Sequence, residues 1–444
     1  MAEQSLPPQF VDETPAQPIR PAPEARGGFP SFAQIGASRP AERTISFWAS
    51  IDKPQLVLTA ILLVIGIMMV FSTTFDWSTS DYNDPTVIVM GHVRNAIYGL
   101  IAAAAALILG YRRLRRFVVP ILLVAIAFLI AVQLFGSDTF NARRTLVAGR
   151  FAPGEAAELA MIIYMAAWME AKNTRIQSLT YGLIPFALIL GFVVGLVVLQ
   201  PDLSTAITIA VVCSAMFFLA GADLMQLAAI AAIATGGGVL VISTGIVNYA
   251  GGRLSGFLAG WSDPTQLVYH ILQARIAFEN GGWTGMGLGQ SLQKFTGLPA
   301  PHTDSIFAVI GEELGIIGAG VVVLLYVLFV LRGFYIARRA ADPFGALLAA
   351  GITVWVAVKA LLNIAVMLAL VPPTGVNLPF ISYGGSSLVT LLVGVGFLLS
   401  VQRVSLLKES QIKRRADVTA DLARNDPSRS RGDRRSRIPG AGGR

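Results

Sequence analysis

Ten apolar runs, each near the roughly 20 residues needed to cross about 30 Å of hydrocarbon, recur along the chain and decide what it can fold into. They cover residues 54–72, 93–110, 117–135, 156–171, 181–199, 203–220, 226–247, 306–331, 345–370 and 385–402. A helix in water needs a polar face at helical spacing, and stretches such as "LILGFVVGLVVL" have none. Composition agrees: 54% of the 444 residues are hydrophobic and 14% charged, too little polar surface to cover a soluble globule. The expected fold is an all-α polytopic membrane protein with ten transmembrane helices. The fourth run is the weakest, being short and carrying Glu158 and Glu170.

Basic residues resist translocation, so the loops that hold them mark the cytoplasmic side. Arg112, Arg113, Arg115 and Arg116, then Lys172 and Arg175, then Arg332, Arg338 and Arg339 fall in loops of one parity, as does the basic tail. Both termini are therefore expected inside, with residues 73–92, 136–155, 200–202, 248–305 and 371–384 outside. Residues 1–50 are rich in Pro, Ala, Gln and Glu, lack the apolar core of a signal peptide, and read as a disordered cytoplasmic arm. Residues 51–403 form the expected membrane domain, and 404–444 a basic disordered tail beside anionic headgroups rather than nucleic acid. The single cysteine, Cys213, sits in an apolar run, which excludes a disulfide framework and a cysteine-based metal site.

The longest outer loop, 248–305, is far larger than a connection requires. Within it, "DPTQLVYHILQARIAFENGG" reads as an amphipathic helix opened by Asp263 and Pro264 and closed by Gly281 and Gly282. It either lies along the bilayer surface or packs on the protein. The glycines of "GMGLGQ" follow no strand and open no dinucleotide unit, so they are expected to serve tight turns or close backbone approach.

"PHTDSIFAVIGEELG", from Pro301 to Gly315, sets His302, Asp304, Glu312 and Glu313 against an apolar helix. Thr303 or Asp304 can cap that helix; for Asp304 the competing reading is catalysis. Glu312, on a membrane segment, is a functional candidate by default. His302 reads as a hydrogen-bonding loop residue or a ligand, and the three histidines, His92, His270 and His302, are too few and scattered for a histidine-rich metal centre.

Other polar groups converge on the outer side. "LQPDLST" places Gln200 and Asp202 in a tight turn, and "LVPPTGVNLPFISYGGSSL" gives the last outer loop an irregular backbone that re-enters the final helix at Gly384. "NARRTLVAGRFAPGEAAE" brings Arg143, Arg144, Arg150 and Glu155 to the outer end of the fourth run. Outer arginines run against the orientation bias; a phosphate-bearing partner explains them, and plain surface charge is the alternative.

Together, "GWSDPTQLVYHILQARIAFENGGWTGMGLGQSLQKFTGLPAPHTDSIFAVIGEELGIIG", "QPDLSTA" and "TGVNLPFISYGGSSL" closely resemble the shape, elongation, division and sporulation family of RodA and FtsW. The likeness spans all ten runs, and "GLGQSLQKF" and "PFISYGGSSL" look closer to the FtsW branch. It implies a peptidoglycan glycosyltransferase that polymerises lipid II at the outer face of the bacterial cytoplasmic membrane, in division or shape maintenance. It also implies a class B penicillin-binding protein as partner. The family's essential aspartate corresponds to Asp304. The expected substrate contacts are Arg143, Arg144, Glu155, Gln200, Asp202, Lys294, His302, Glu312, Ser382 and Gly384.

The chemistry suits one carboxylate: the donor sugar leaves as a lipid pyrophosphate that needs no general acid, while the attacking hydroxyl must lose a proton. Charge growing on the pyrophosphate is offset by a divalent cation, Mg or Mn, or by Arg143 and Arg144. No organic cofactor is expected. A transporter of the same lipid and a catalytically weak paralogue that organises a division or elongation complex are the alternatives.

The chain departs from the family pattern in two places. The usual "GxxRW" appears as "NARRT", with Arg144 matching while Asn141 and Thr145 replace glycine and tryptophan. The usual "QPSExxK" appears as "APGEAAE", so Glu158 stands where a lysine is expected. Lys359, in the ninth run, offers a replacement cation. Counting along the runs sets it about 10 Å deeper than Glu158 at 1.5 Å per residue, a gap that lysine reach closes in part.

Overall fold

Every one of the ten runs coincides with a helix in the computed structural model, which describes residues 47–135, 137–139, 142–145, 152–172, 175–243, 248–262 and 268–424. All of these lie in the unit Ser46–Arg444. In chain order the helices are α1 (Lys53–Tyr82), α2 (Val87–Leu109), α3 (Tyr111–Leu114), α4 (Val118–Phe135), α5 (Pro153–Lys172), α6 (Ile184–Val198) and α7 (Leu203–Leu219). They continue with α8 (Leu224–Ser243), α9 (Asn248–Ser262), α10 (Tyr269–Gly281), α11 (Gln293–Thr296), α12 (Ile306–Arg338), α13 (Pro343–Met367) and α14 (Gly385–Arg424).

Among the described residues, seven helical stretches are long and apolar enough to cross a membrane: α1, α2, Tyr111–Phe135, Leu179–Val198, α12, α13 and α14. Shorter apolar stretches form α7 and much of α8, and the 20 residues of α5 carry Glu155, Glu158, Glu170 and Lys172. Large apolar side chains such as Val64, Ile101 and Leu188 point outward, as hydrocarbon as solvent requires. The centre is built by α5, α13 and α14 around a fully buried Trp355. At one end of α1, Asp52 caps the helix through Gln55 N (2.9 Å) and receives the Arg332 guanidinium of α12 (2.7 Å).

Several elements differ from the expectation. Polar residues continue α1 to Tyr82, and α2 begins at Val87, so the expected outer loop 73–92 shrinks to residues 83–86. Hydropathy marks the apolar slab and not the helix, which extends beyond it. The all-α expectation misses a small hairpin, β1 (Ser137–Thr139) antiparallel to β2 (Ala142–Thr145). α9 was read as loop. The start signals Asp263 and Pro264 lie outside the described residues, and α10 begins after Val268 without a side-chain cap. α14 continues to Arg424, so the first half of the tail read as disordered is helical. The arm's last residues, Phe47–Ser50, form a 3-10 turn closed by Ser50 Oγ donating to Phe47 O (2.6 Å); the rest of the arm lies outside the described residues.

The eighth run holds the largest departure. α12 breaks at Gly315 (φ 69°, ψ −175°), which separates the turns bearing Glu312 and Glu313 from the long apolar part. Backbone groups freed at the break find partners in residues 282–287. Met286 N and Gly287 N donate to the Glu312 and Glu313 carbonyls (3.0 Å each), and Ile316 N and Ile317 N donate to Gly282 O (2.9 Å) and Trp283 O (3.2 Å). A Cβ on Gly285 or Gly315 would collide with the facing backbone, and both have positive φ. The close-approach reading of the "GMGLGQ" glycines is therefore what Gly285 does.

Candidate active site

Three consecutive carbonyls in "HTD" are each tied to a separate donor from another part of the chain. Tyr383 N donates to His302 O (2.8 Å), Ser382 Oγ donates to Thr303 O, and Asn363 Nδ2 donates to Asp304 O (2.7 Å). Asn363 Nδ2 also reaches Val376 O (2.7 Å), and Ser382 Oγ accepts from Leu378 N (2.8 Å), so one network holds the tripeptide and the loop before α14 together. Ala300 (φ 49°) and Phe380 (φ 66°), two non-glycine residues in the left-handed region, lie in the two loops that meet here.

The Asp304 carboxylate is left largely free. Among the described residues its one hydrogen bond comes from Thr303 Oγ1 (3.1 Å), and the residue is half-buried. It does not cap α12: the N-cap is Ser305, with no side-chain cap bond. The capping alternative for Asp304 and Thr303 thus falls away.

Beside it, His270, Asn363, Thr374 and Gly375 line a narrow crevice with no room for a water molecule. Ser305 Oγ donates its single proton to Pro299 O (2.5 Å), so the contact between Ser305 Oγ and His270 Nε2 (2.5 Å) must use a proton on Nε2. Burial pushes His270 and His302 below the ordinary imidazole range, and the Asp304 charge opposes this at both. The histidines are less scattered than their spacing suggests: His302 and His92 both meet Tyr383, and His270 and His302 both feel Asp304. Even so, the described residues contain no group of three His, Cys, Asp or Glu suited to a metal ion.

The glutamates behind Asp304 are consumed by the loop. Glu312 is fully buried and accepts from Asn280 Nδ2 (3.0 Å), Ser291 Oγ, Leu292 N (3.2 Å) and Gln293 N (3.2 Å), closing the N-terminus of α11. Glu313 pairs with Lys294 Nζ (2.8 Å) and Ser72 Oγ (2.6 Å), and Lys294 also donates to Gly289 O (2.8 Å). The expectation that Glu312 and Lys294 face substrate gives way to two buried clasps, because their hydrogen-bonding groups are already taken.

Other expected contacts divide the same way. Gln200 is buried and donates to Leu129 O of α4 (2.7 Å). Asp202 caps α7, taking Thr205 N (3.3 Å), Thr205 Oγ1 (2.8 Å) and Ser204 Oγ (2.6 Å). Ser382 serves the carbonyl network, and Gly384 is half-buried just before α14. Arg143 and Arg144 lie on β2, with Arg143 opposite Asp138; their side chains and Arg150 fall outside the described residues.

Half-buried Glu155 joins the buried Glu158 and Lys359 in a triad. Lys359 Nζ of α13 lies 2.5 Å from Glu155 Oε2 and 2.8 Å from Glu158 Oε2 of α5, and Trp355 Nε1 donates to the same Glu158 oxygen (2.7 Å). The pairing of Glu158 with Lys359 read from the sequence is therefore present. Sequence reasoning missed Asn363; a lone amide in an apolar run, one turn beyond Lys359, was the available signal.

The FtsW, RodA and SpoVE cell cycle protein model matches residues 54–406. The chain belongs to the FtsW, RodA and SpoVE family. It is 35% identical over 354 residues to a protein of Geobacter sulfurreducens named "Probable peptidoglycan glycosyltransferase FtsW", covering 79% of this chain and 94% of that one. It is also 35% identical over 359 residues to "Stage V sporulation protein E" of Bacillus subtilis, covering 80% and 97%. Among solved structures it matches a chain from a study of polymerization and crosslinking by a peptidoglycan synthase complex (TM-score 0.65, 26% identity, 81% and 99% covered). It matches Thermus thermophilus RodA as well (TM-score 0.60, 25% identity, 80% and 98% covered). Within this FtsW and RodA family member, the triad shows how the departure at Glu158 is accommodated: a cation from α13 occupies the space between the two glutamates of α5.

Proposed function

We infer that the protein is a peptidoglycan glycosyltransferase that polymerises lipid II at the outer face of the bacterial cytoplasmic membrane. The observation that carries this reading is the Asp304 carboxylate, held by a backbone pinned at three successive carbonyls yet almost free of hydrogen bonds itself. A base that must accept a proton from a bound hydroxyl needs that combination of fixed position and unused lone pairs. Membership of the family and the printed name of the Geobacter relative support the activity.

In this reading ten helices cross the membrane, both termini are cytoplasmic, and the segment 248–305 lies outside. Asp304 takes the proton of the acceptor hydroxyl as its oxygen bonds to the donor sugar carbon. The bond from that carbon to the pyrophosphate oxygen breaks with its electron pair, and the carbon inverts. Arg143 and Arg144 offset the charge on the leaving pyrophosphate. A divalent cation, Mg or Mn, is the other candidate for that task, but no ligand set for it stands out among the described residues. The partner is a class B penicillin-binding protein, supported by the synthase-complex match.

The test is polymerisation of lipid II by the purified complex with and without Asp304→Ala. Glycan from the parent and none from the variant supports the enzyme. Transfer of lipid II between leaflets without polymer favours a transporter, and equal glycan from both chains overturns the role of Asp304.

A further inference from the structure

Four rings form a column that includes His302, two residues before the candidate base. Trp77, near the outer end of α1, lies 4.9 Å from His302 between ring centroids; His302 meets Tyr383 edge-on at 5.8 Å; Tyr383 lies 5.8 Å from His92 of α2. Exposure falls along the column from Trp77 (43%) through half-buried His302 and Tyr383 to His92, which is fully buried. His302 is also the residue whose carbonyl Tyr383 N holds, two positions before Asp304. Of the four rings, His302 is the one on the segment that carries the carboxylate, and Tyr383 N ties that segment to the loop before α14.

Trp77 is fixed in an unusual way for an exposed indole. Its Nε1 donates to Asp81 Oδ2 (2.6 Å), one turn along the same helix. A tryptophan that anchors a helix at the bilayer boundary keeps its N–H for water and headgroups. Here the N–H is turned back onto α1, and His302 backs the ring. At the column's inner end, both ring nitrogens of His92 are buried without a hydrogen-bond partner among the described residues.

A pyranose has matching chemistry. Its C–H bonds form a slightly positive apolar face that stacks on the negative face of an aromatic ring, and its rim of hydroxyls seeks carboxylates and imidazoles. Asp76, next in sequence to Trp77 and exposed, lines a neighbouring cleft with Phe75 and Ser72 on the same helix end.

We propose that Trp77, backed by His302, is the stacking platform for the acceptor saccharide whose hydroxyl Asp304 deprotonates. The proposal rests on the glycosyltransferase reading and adds the subsite that reading lacks. Trp77 binds a ring and takes no part in proton transfer.

The experiment measures lipid II polymerisation by the complex carrying Trp77→Ala, Trp77→Leu or Trp77→Phe, with Asp304→Asn alongside. Stacking requires KM for lipid II to rise about tenfold in the Ala and Leu variants, with kcat within about twofold of the parent, and Phe to stay within about threefold on KM. An unchanged KM in Trp77→Ala overturns the platform. So does equal behaviour of Leu and Phe, which reduces the role to bulk, or a loss confined to melting temperature, which makes Trp77 an anchor. A second readout avoids dependence on the Ala fold: lipid II added to the Asp304→Asn complex shifts its tryptophan emission, and the shift disappears in Asp304→Asn/Trp77→Phe. Its persistence there overturns the proposal. Active Asp304→Asn sinks the glycosyltransferase mechanism itself, whereas inactive Asp304→Asn with a parent-like Trp77→Ala sinks only the subsite.

Discussion

Asp304 and Glu312 sit eight residues apart on one short segment, and the protein uses opposite ends of them. At Asp304 the backbone carbonyl is held while the carboxylate carries a single hydrogen bond; at Glu312 the carboxylate is buried under four donors. Both are acids that an apolar environment penalises unless they are paired or useful. Glu312 is paired, and the penalty is offset within the loop. Asp304 is not, so its placement needs a reason from outside the fold. Accounting for hydrogen bonds separates architecture from chemistry where sequence position alone does not.

The largest expected effect breaks the pair at Asp304. Asp304→Asn keeps the shape and the carbonyl network but removes the base, so turnover should fall about 10²- to 10⁴-fold while the melting temperature stays where it was. A matching fall in stability would mean that the carboxylate is structural after all.

Next comes the triad, where two carboxylates share one ammonium among buried side chains. Lys359→Met leaves both glutamates without their cation and should cost about 3 to 5 kcal/mol. Adding Glu158→Gln should return much of that loss, because removing both partners of a buried pair is far milder than removing one. Thermal unfolding of the single and double variants measures the difference. If the double variant is as unstable as the single, the ammonium serves Glu155 and not the pair.

Glu312→Ala should be smaller and of the other kind. It strands the Ser291 hydroxyl and the Leu292 and Gln293 amides, a loss on the order of 3 kcal/mol. Specific activity per folded molecule should remain. A variant that melts normally yet makes no glycan would erase the contrast with Asp304.

The helices under the apolar runs were legible because lipid-facing segments must be apolar for their whole transit, and α13 and α14 announce themselves this way although they face mostly protein. The polar end of α1, which carries Trp77, and the whole of α9 leave no such mark. The pairing of Glu158 and Lys359 was legible in kind but not in distance. Run boundaries put a wide gap between them, whereas Glu158 lies five residues into α5 and Lys359 eight residues before the end of α13. That three-residue offset is only about 4.5 Å of helix, within reach of a lysine. Of the candidate site, the sequence pointed to His302, Asp304 and Ser382 but not to how they are held. What holds Asp304 comes from Asn363, Ser382 and Tyr383, some 59 to 79 positions away, and depends on the loop between α13 and α14 folding back onto the residues that precede α12. Glu312 misled for the same reason, since its partners lie about 20 positions upstream in a loop with no periodicity.

The smallest effect sharpens the electrostatics around Asp304. Burial holds the His270 imidazole below its ordinary 6.5, the Asp304 charge works against that shift, and Arg253 adds to it. In the window between the folded value and 6.5 the unfolded chain binds the extra proton, so stability rises with pH across that window and is complete above 6.5. It is lost as pH falls through the folded value. His270→Asn removes the titration while its amide N–H can still reach Ser305 Oγ, so the melting temperature should depend less on pH below 6.5 than in the parent. In Asp304→Asn the opposing charge is gone and His270 should titrate at still lower pH, which extends the sloping region further toward acid. Melting curves of the parent, both single variants and the double variant between pH 4 and 8 read this directly. Equal acid slopes in the parent and in His270→Asn would mean that the imidazole is not held neutral by burial.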